Sequence, residues 1–258
     1  MTLHGKHALV SRGGTGIGLA IAQRLASEGA AATITGRRLQ ILQDARSKDI
    51  FPAVMDVTDE TSVYDTIAAA VAARGPIQIC VANAGIAEGR ASYKTDLALW
   101  KRIMATNLDG TFLTIRDCFK LMRGTDWGQV IAVASIAGVR GLKGAGAYSA
   151  SKHGVIGLIR SFSEDHMPEP FTFNAVCPGY VDTPIIEQYI DLMQKKGLSK
   201  QDAMAIMVQA NRHARLIGTD EIVEAALWLC ANGSQSVNGQ TIEIAGGKFK
   251  FHDSSSSN

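Results

Sequence analysis

The strongest constraint on this chain lies near its start, where Ala8, Leu9 and Val10 run into SRGGTGIG, residues 11–18. After that run, Leu19, Ala20, Ala22, Leu25 and Ala26 recur at helical spacing. The pattern is that of a strand, a glycine-rich turn and a helix. Glycines allow a sharp turn and a close approach of backbone to a pyrophosphate, whose charge is favoured by the free N–H groups of the helix start. Ser11, Arg12, Gly13, Gly16, Ile17 and Gly18 are therefore candidate nucleotide-binding positions, the bland alternative being a tight turn without a ligand. A second strand spans 31–35 and ends at Gly36, Arg37 and Arg38. An acidic residue at that point would hold the 2′-hydroxyl of NAD, and none is present. Arg37 and Arg38 suit the 2′-phosphate of NADP, so NADP(H) is preferred over NAD(H), although two arginines opening a helix can also be merely solvated.

The alternation continues along the chain. Residues 51–57 form a third apolar segment ending in Asp56 and Val57, which offer a carboxylate and an apolar wall to an adenine; a strand-end Asp also serves as an ordinary helix cap. The continuous apolar run 77–82 reads as a parallel strand covered on both faces, and opens into Asn83, Ala84 and Gly85. Helical patterns occupy 96–122 and contain Asn107, an amide that carries a propensity cost inside a helix. A fifth strand, 130–134, precedes Ser135, a residue type that also forms turns. Thirteen residues later comes Tyr148, four before Lys152, at a helix start; that spacing makes the two side chains neighbours. A fixed cation favours a phenolate, so the pair suggests acid/base chemistry on an alcohol or carbonyl, against the bland reading of a packed ring beside a solvated stem. Residues 173–176 form a sixth strand leading into a turn-rich segment with Pro178, Gly179, Val181 and Thr183. Two amphipathic helical patterns, 185–212, break at Gly197 and read either as a Met-bearing lid or as core. A helix at 221–231, a seventh strand at 241–245 and a serine-rich tail at 248–258 complete the pattern.

One α/β domain over 1–247 follows: a doubly wound, Rossmann-like sheet of seven mainly parallel strands, with its ligand at the strand carboxyl ends. With 258 residues, 46% hydrophobic and 19% charged, the chain can bury a large core without disulfides or metal. Its 26 basic and 24 acidic residues leave no dense basic run, so nucleic acid and anionic membranes are not expected partners and a small molecule is. The four cysteines are widely spaced and the six histidines make no metal motif, so reduced buried thiols, no metal and a cytoplasmic location are expected.

Taken together these pieces resemble the short-chain dehydrogenase/reductase family from about Leu3 to Gly247. SRGGTGIG is similar to the family's TGxxxGxG turn, NAG at 83–85 to its NNAG, Asn107 to its helix asparagine, Ser135 with YSASK to its active site, and PGYVDTP to its PG segment. The resemblance implies that Ser135 bonds the substrate oxygen and that Tyr148 exchanges a proton as hydride passes to or from a nicotinamide. Lys152 would lower the pKa of Tyr148 and bind the nicotinamide ribose, and Asn107 would hold a water in a proton relay. Asp56 and Val57 would flank adenine, Asn83 and Gly85 the adenosine side, and Thr183 the nicotinamide carboxamide. A homo-oligomer, most often a tetramer, is implied too.

Departures from the family pattern keep a second reading open. Arg12 stands where the family has the first glycine of its turn, and Ser11 where it has Thr; Arg12 implies strain and weakened binding, or else a reach toward the adenosine phosphate. A catalytically impaired nucleotide-binding or interaction protein is the alternative that Arg12 motivates. Ala82 and Ala134 replace an Asn and a Ser. The segment 185–216 resembles in layout the lids of 3-hydroxybutyrate dehydrogenases and 3-oxoacyl reductases. Ala137 replaces a carboxylate-contacting His of the former, which favours a bulkier or less charged carbonyl, such as a 3-oxoacyl thioester.

Overall fold

The computed structural model describes residues 2–195 and 197–246; Gly247 and the expected tail, 248–258, lie outside the described residues. Seven strands form one sheet: β1 (His7–Ser11), β2 (Ala31–Gly36), β3 (Ile50–Val54), β4 (Ile79–Ala82), β5 (Gly128–Val133), β6 (Phe171–Pro178) and β7 (Thr241–Ile244). Their order is β3-β2-β1-β4-β5-β6-β7, and every adjacent pair is parallel. β1 thus has β2 on one side and β4 on the other, and the direction of winding reverses between β1 and β4. Such a reversal leaves a crevice at the carboxyl ends of the two strands.

Side-chain alternation explains the two cores. In β1, Ala8 and Val10 join one cluster with Ile21, Ala22 and Leu25 of helix α1 (Gly16–Ser27) and Ile222 and Ala226 of a late helix (Thr219–Leu229). Leu9 faces the opposite way, joining Cys80, Val130, Phe173, Ile115 and Ile159. All residues of β1, β4, β5 and β6 are buried, as expected for parallel strands covered on both faces.

Several element boundaries differ from the sequence expectations. The segment 51–57 leaves the sheet after Val54, because Asp56 turns away: its N–H donates to Ser62 Oγ at 3.0 Å and its carboxylate accepts from Thr58 N at 3.0 Å. The run 77–82 joins the sheet only from Ile79, and the 173–176 strand extends to Phe171–Pro178. Two helices lie between β2 and β4: α2 (Leu39–Asp44) and α3 (Glu60–Arg74), the latter opened by Asp59 accepting from the N–H groups of Thr61 and Ser62. The 96–122 pattern is three pieces rather than one, α4 (Leu97–Met104), a π turn (Ala105–Asp109) and α5 (Gly110–Met122). Helix α6 (Gly146–Asp165) begins two residues before Tyr148. α7 (Pro184–Gln194) and α8 (Lys200–Ala210) flank Gly197, which adopts a φ of +92°. Ile186, Ile190, Ala203 and Met207 bury one another between these two helices, and Tyr180, Tyr189, Met193 and Met204 pack against them. The final helix, α9 (Thr219–Leu229), starts where Glu221 reaches back to accept from Gly218 N at 2.9 Å.

All four cysteines are free and buried. Cys80 and Cys118, distant in sequence, are brought into hydrogen-bonding contact by β4 and α5, and burial pushes the Cys118 thiol up. Among the described residues no helix is long and apolar enough to cross a membrane.

Candidate active site

The crevice between β1 and β4 is tied at its base by Ser11. Its Oγ accepts from the N–H groups of Asn83 and Ala84, each at 2.9 Å, while Asn83 Nδ2 donates to Ser11 O at 3.1 Å. The turn then runs so close to its neighbours that side chains are excluded at two points. A Cβ on Gly13 would fall 2.8 Å from Ile34 Cβ, and one on Gly18 would fall 2.4 Å from Asn83 Nδ2. The N-cap of α1, Thr15, makes no side-chain cap bond, so the first-turn N–H groups face the crevice as an anion-favouring end. Ile17 turns instead into the core. Gly16, with φ +55°, lies beneath Thr183, whose methyl would be 3.7 Å from a Cβ there.

Arg12 adopts φ +50°, in the left-handed region that favours glycine, so the strain inferred for this position is present. Its half-buried guanidinium donates through Nη1 to the Gly85 carbonyl across the crevice. Burial and the like charges of Arg38 and Arg37 lower its pKa. Arg37 and Arg38 themselves are exposed at the end of β2. Asp56 lies near Arg37; the Thr58 N–H, and to a lesser degree Arg37, hold its carboxyl below the ordinary range. Val57 is buried against Gly110.

The four candidate catalytic residues converge at the ends of β4, β5 and α6. Ser135 follows β5, and its Oγ accepts from Ala137 N at 3.1 Å and lies close enough to the Tyr148 hydroxyl to affect its pKa. Tyr148 keeps part of its ring surface accessible, yet its hydroxyl is enclosed, and burial raises its pKa against the lowering effects of Ser135 and Arg12. Lys152 is 4% exposed, and Nζ donates to Val133 O at 2.8 Å. Burial pushes its pKa down to about 8, Arg12 adding to the fall. Lys152 Nζ, the cation that the family resemblance implied, stands 5.9 Å from the centroid of the Tyr148 ring.

Asn107 is fully buried in the π turn. Its side chain accepts from Ile86 N at 2.8 Å and donates to Ile86 O at 2.9 Å and Ser151 Oγ at 3.1 Å. Ser151 Oγ in turn donates to the Tyr148 carbonyl at 2.7 Å. The amide braces the loop after β4 against α6, a role in addition to the relay expected of it. Gly85 sits against both groups, since a Cβ there would be 3.5 Å from Lys152 Nζ and 3.4 Å from Asn107 Oδ1.

Pro178 ends β6, and Gly179 packs under Asn211, which binds both the N–H and the C=O of Tyr180. Val181 is buried and bridges to Ile217. Three further residues near the phenol had no role assigned from the sequence. Tyr180, Cys177 and Tyr189 all lie close enough to couple electrostatically with Tyr148, and burial raises all three, Cys177 to about 11. Cys177 and Tyr180 stood in or at the start of the turn-rich segment; Tyr189 carried no signal.

The model of the family described as short chain dehydrogenase matches residues 6–193. The chain is 33% identical to the cis-4-hydroxycyclohexanecarboxylate dehydrogenase of Sinomonas cyclohexanicum, over 93% of this chain and 95% of that one. It is 29% identical to the 3-oxoacyl-acyl-carrier-protein reductase MabA of Mycobacterium bovis, over 96% and 94% respectively. A crystal structure of an actinorhodin polyketide ketoreductase variant with NADPH superposes with a TM-score of 0.89 at 29% identity, covering 94% of this chain and 96% of the other.

Proposed function

Since the chain belongs to the short chain dehydrogenase family and is an oxidoreductase of carbonyls and alcohols, we propose that it interconverts a ketone and a secondary alcohol with NADP(H) in preference to NAD(H). The single observation that carries the reading is the convergence of Ser135, the enclosed Tyr148 hydroxyl and the buried Lys152 at the mouth of the β1–β4 crevice.

The chain has features that fit a dinucleotide. The glycines at 13 and 18 allow no Cβ, the α1 N-terminus is uncapped by a side chain, and the end of β2 offers arginines rather than an acid. Ser11, Arg12, Gly13, Gly16 and Gly18 would line the pyrophosphate, Arg37 and Arg38 the 2′-phosphate, and Asp56, Val57, Asn83 and Gly85 the adenosine. Pro178, Gly179, Val181 and Thr183 would border the nicotinamide. The cofactor supplies or accepts the hydride.

Around the reacting oxygen, Ser135 donates a hydrogen bond that polarises a carbonyl, and Tyr148 delivers the proton that completes the alcohol. In the reverse direction Tyr148 removes that proton. Lys152 sustains the charge left on the phenol and, through Val133 O, keeps its ammonium fixed in place. Asn107 holds the floor of the site by fixing Ile86 and Ser151.

α7 and α8, with the apolar side chains of Ile186, Ile190 and Met207 between them, would act as the lid over the substrate. Tyr180 and Tyr189 would give that substrate an apolar wall next to the phenol, which suits a bulky carbonyl such as a 3-oxoacyl thioester better than a small charged acid. The site within one chain would operate in a homotetramer. The test is oxidation of NADPH, followed by absorbance, with a panel of cyclic ketones and 3-oxoacyl thioesters. Turnover on members of the panel is the expected result; cofactor binding without turnover on any ketone or alcohol would favour the impaired alternative.

A further inference from the structure

Arg12 is the residue at which this chain departs most sharply from the family turn, and its placement is specific. It follows β1, and the carbonyl that it binds, Gly85 O, follows β4. The Arg12–Gly85 bond therefore spans the one place in the sheet where the winding reverses. Anything that lies lengthwise in the crevice must cross that bond. The guanidinium is within electrostatic reach both of Arg37 and Arg38, at the β2 end, and of Tyr148 and Tyr189, at the phenol. Three like charges converge there, an arrangement that an anion relieves. The backbone at Arg12 is held at φ +50°, in the left-handed region that side chains rarely adopt. Such strain persists where a fold over-determines it, often at ligand clamps.

Resting on the oxidoreductase reading above, we propose that Arg12 is a latch operated by the dinucleotide. Its guanidinium closes the β1–β4 crevice on the Gly85 carbonyl and moves onto the pyrophosphate when a dinucleotide enters. A neutral carbonyl is exchanged for a doubly charged acceptor, so the second bond is the stronger one. The latch acts on a group common to NADPH and NADH, and so is separate from the discrimination by Arg37 and Arg38.

The experiment is stopped-flow and equilibrium titration of the full chain, of Arg12→Gly and of Arg12→Lys, with NADPH and with NADH, followed by nucleotide fluorescence. In Arg12→Gly no bond has to open, so association of both nucleotides quickens. Dissociation quickens more, and both affinities fall by a common factor of about tenfold. Arg12→Lys retains part of the affinity and its dependence on salt. Equal or tighter binding by Arg12→Gly overturns the proposal and makes Arg12 an obstruction. A loss confined to NADPH also overturns it, and groups Arg12 with the 2′-phosphate contacts. If the unaltered protein and both variants are folded by circular dichroism and bind neither nucleotide, the oxidoreductase reading falls and takes the latch with it; if the unaltered protein binds, only the latch is at stake.

Discussion

Lys152 Nζ donates to Val133 O at 2.8 Å while standing 5.9 Å from the centroid of the Tyr148 ring. The ammonium is therefore tethered to the end of β5, over the ring of the phenol. Burial brings its pKa to about 8 from an ordinary 10.5. The charged form is complete below about 8 and is lost as pH rises through that value. In the reducing direction kcat/KM is expected to fall above about pH 8, measured as a pH–rate profile, and Lys152→Arg is expected to move that inflection upward. A profile flat from pH 6 to 10 would remove Lys152 from the reacting set. The same shift acts on folding. Between about 8 and 10.5 the unfolded chain binds the extra proton, so this residue's contribution makes stability rise with pH across that window.

Tyr148→Phe removes the hydroxyl that meets Ser135 but leaves the ring in place. Turnover is expected to fall by about a thousandfold, with the NADPH dissociation constant within about twofold of the original. Steady-state kinetics beside a fluorescence titration checks both halves. Substantial turnover in the variant would deny Tyr148 the acid role.

At the end of β2, Arg37→Asp exchanges a cation for the acid that would hold a ribose hydroxyl. Loss of a charge-assisted bond to the 2′-phosphate is expected to weaken NADPH by about tenfold to a hundredfold while NADH is held or improved. The ratio of the two dissociation constants is the readout. An unchanged ratio would show that Arg37 is simply solvated.

Asn107→Ala leaves the N–H and C=O of Ile86 and the Ser151 hydroxyl without their amide partner. Asn107 is fully buried, so a loss of about 2–4 kcal/mol is expected, read as a lower midpoint in urea. Asn107→Asp keeps the acceptor for Ile86 N and loses the donors, and is expected to fall between the two.

The seven strands and their parallel character were legible because most are apolar runs, several of them ending in glycine or a small polar residue, as at Val10 and Ala82; their order in the sheet was not. Strand ends were less so, since Met55 and Val57 are as apolar as strand residues while Asp56 turns the chain by bonding Thr58 and Ser62. α3 buries only Val63, Ile67 and Ala70 in an Ala-rich stretch, too weak a stripe to stand out. Positions 11, 12, 83, 85, 107, 135, 148 and 152 came from motif spacing, and the fold draws them into one crevice. What spacing could not convey is direction: that Lys152 reaches Val133, that Arg12 crosses to Gly85, and that Tyr189 of α7 comes near the phenol. Each depends on how separate elements pack, and not on any local pattern.

The central position of β1 has a consequence for synthesis of the chain. One neighbour, β2, follows almost at once, whereas the other, β4, leaves the ribosome only after β3 and two further helices have been made. Throughout that interval the far edge of β1 presents unpaired peptide groups on a wholly apolar strand core, a template open to any other nascent chain. The same strand that later bears the glycine-rich turn is thus the one that most needs shielding while the protein is half made.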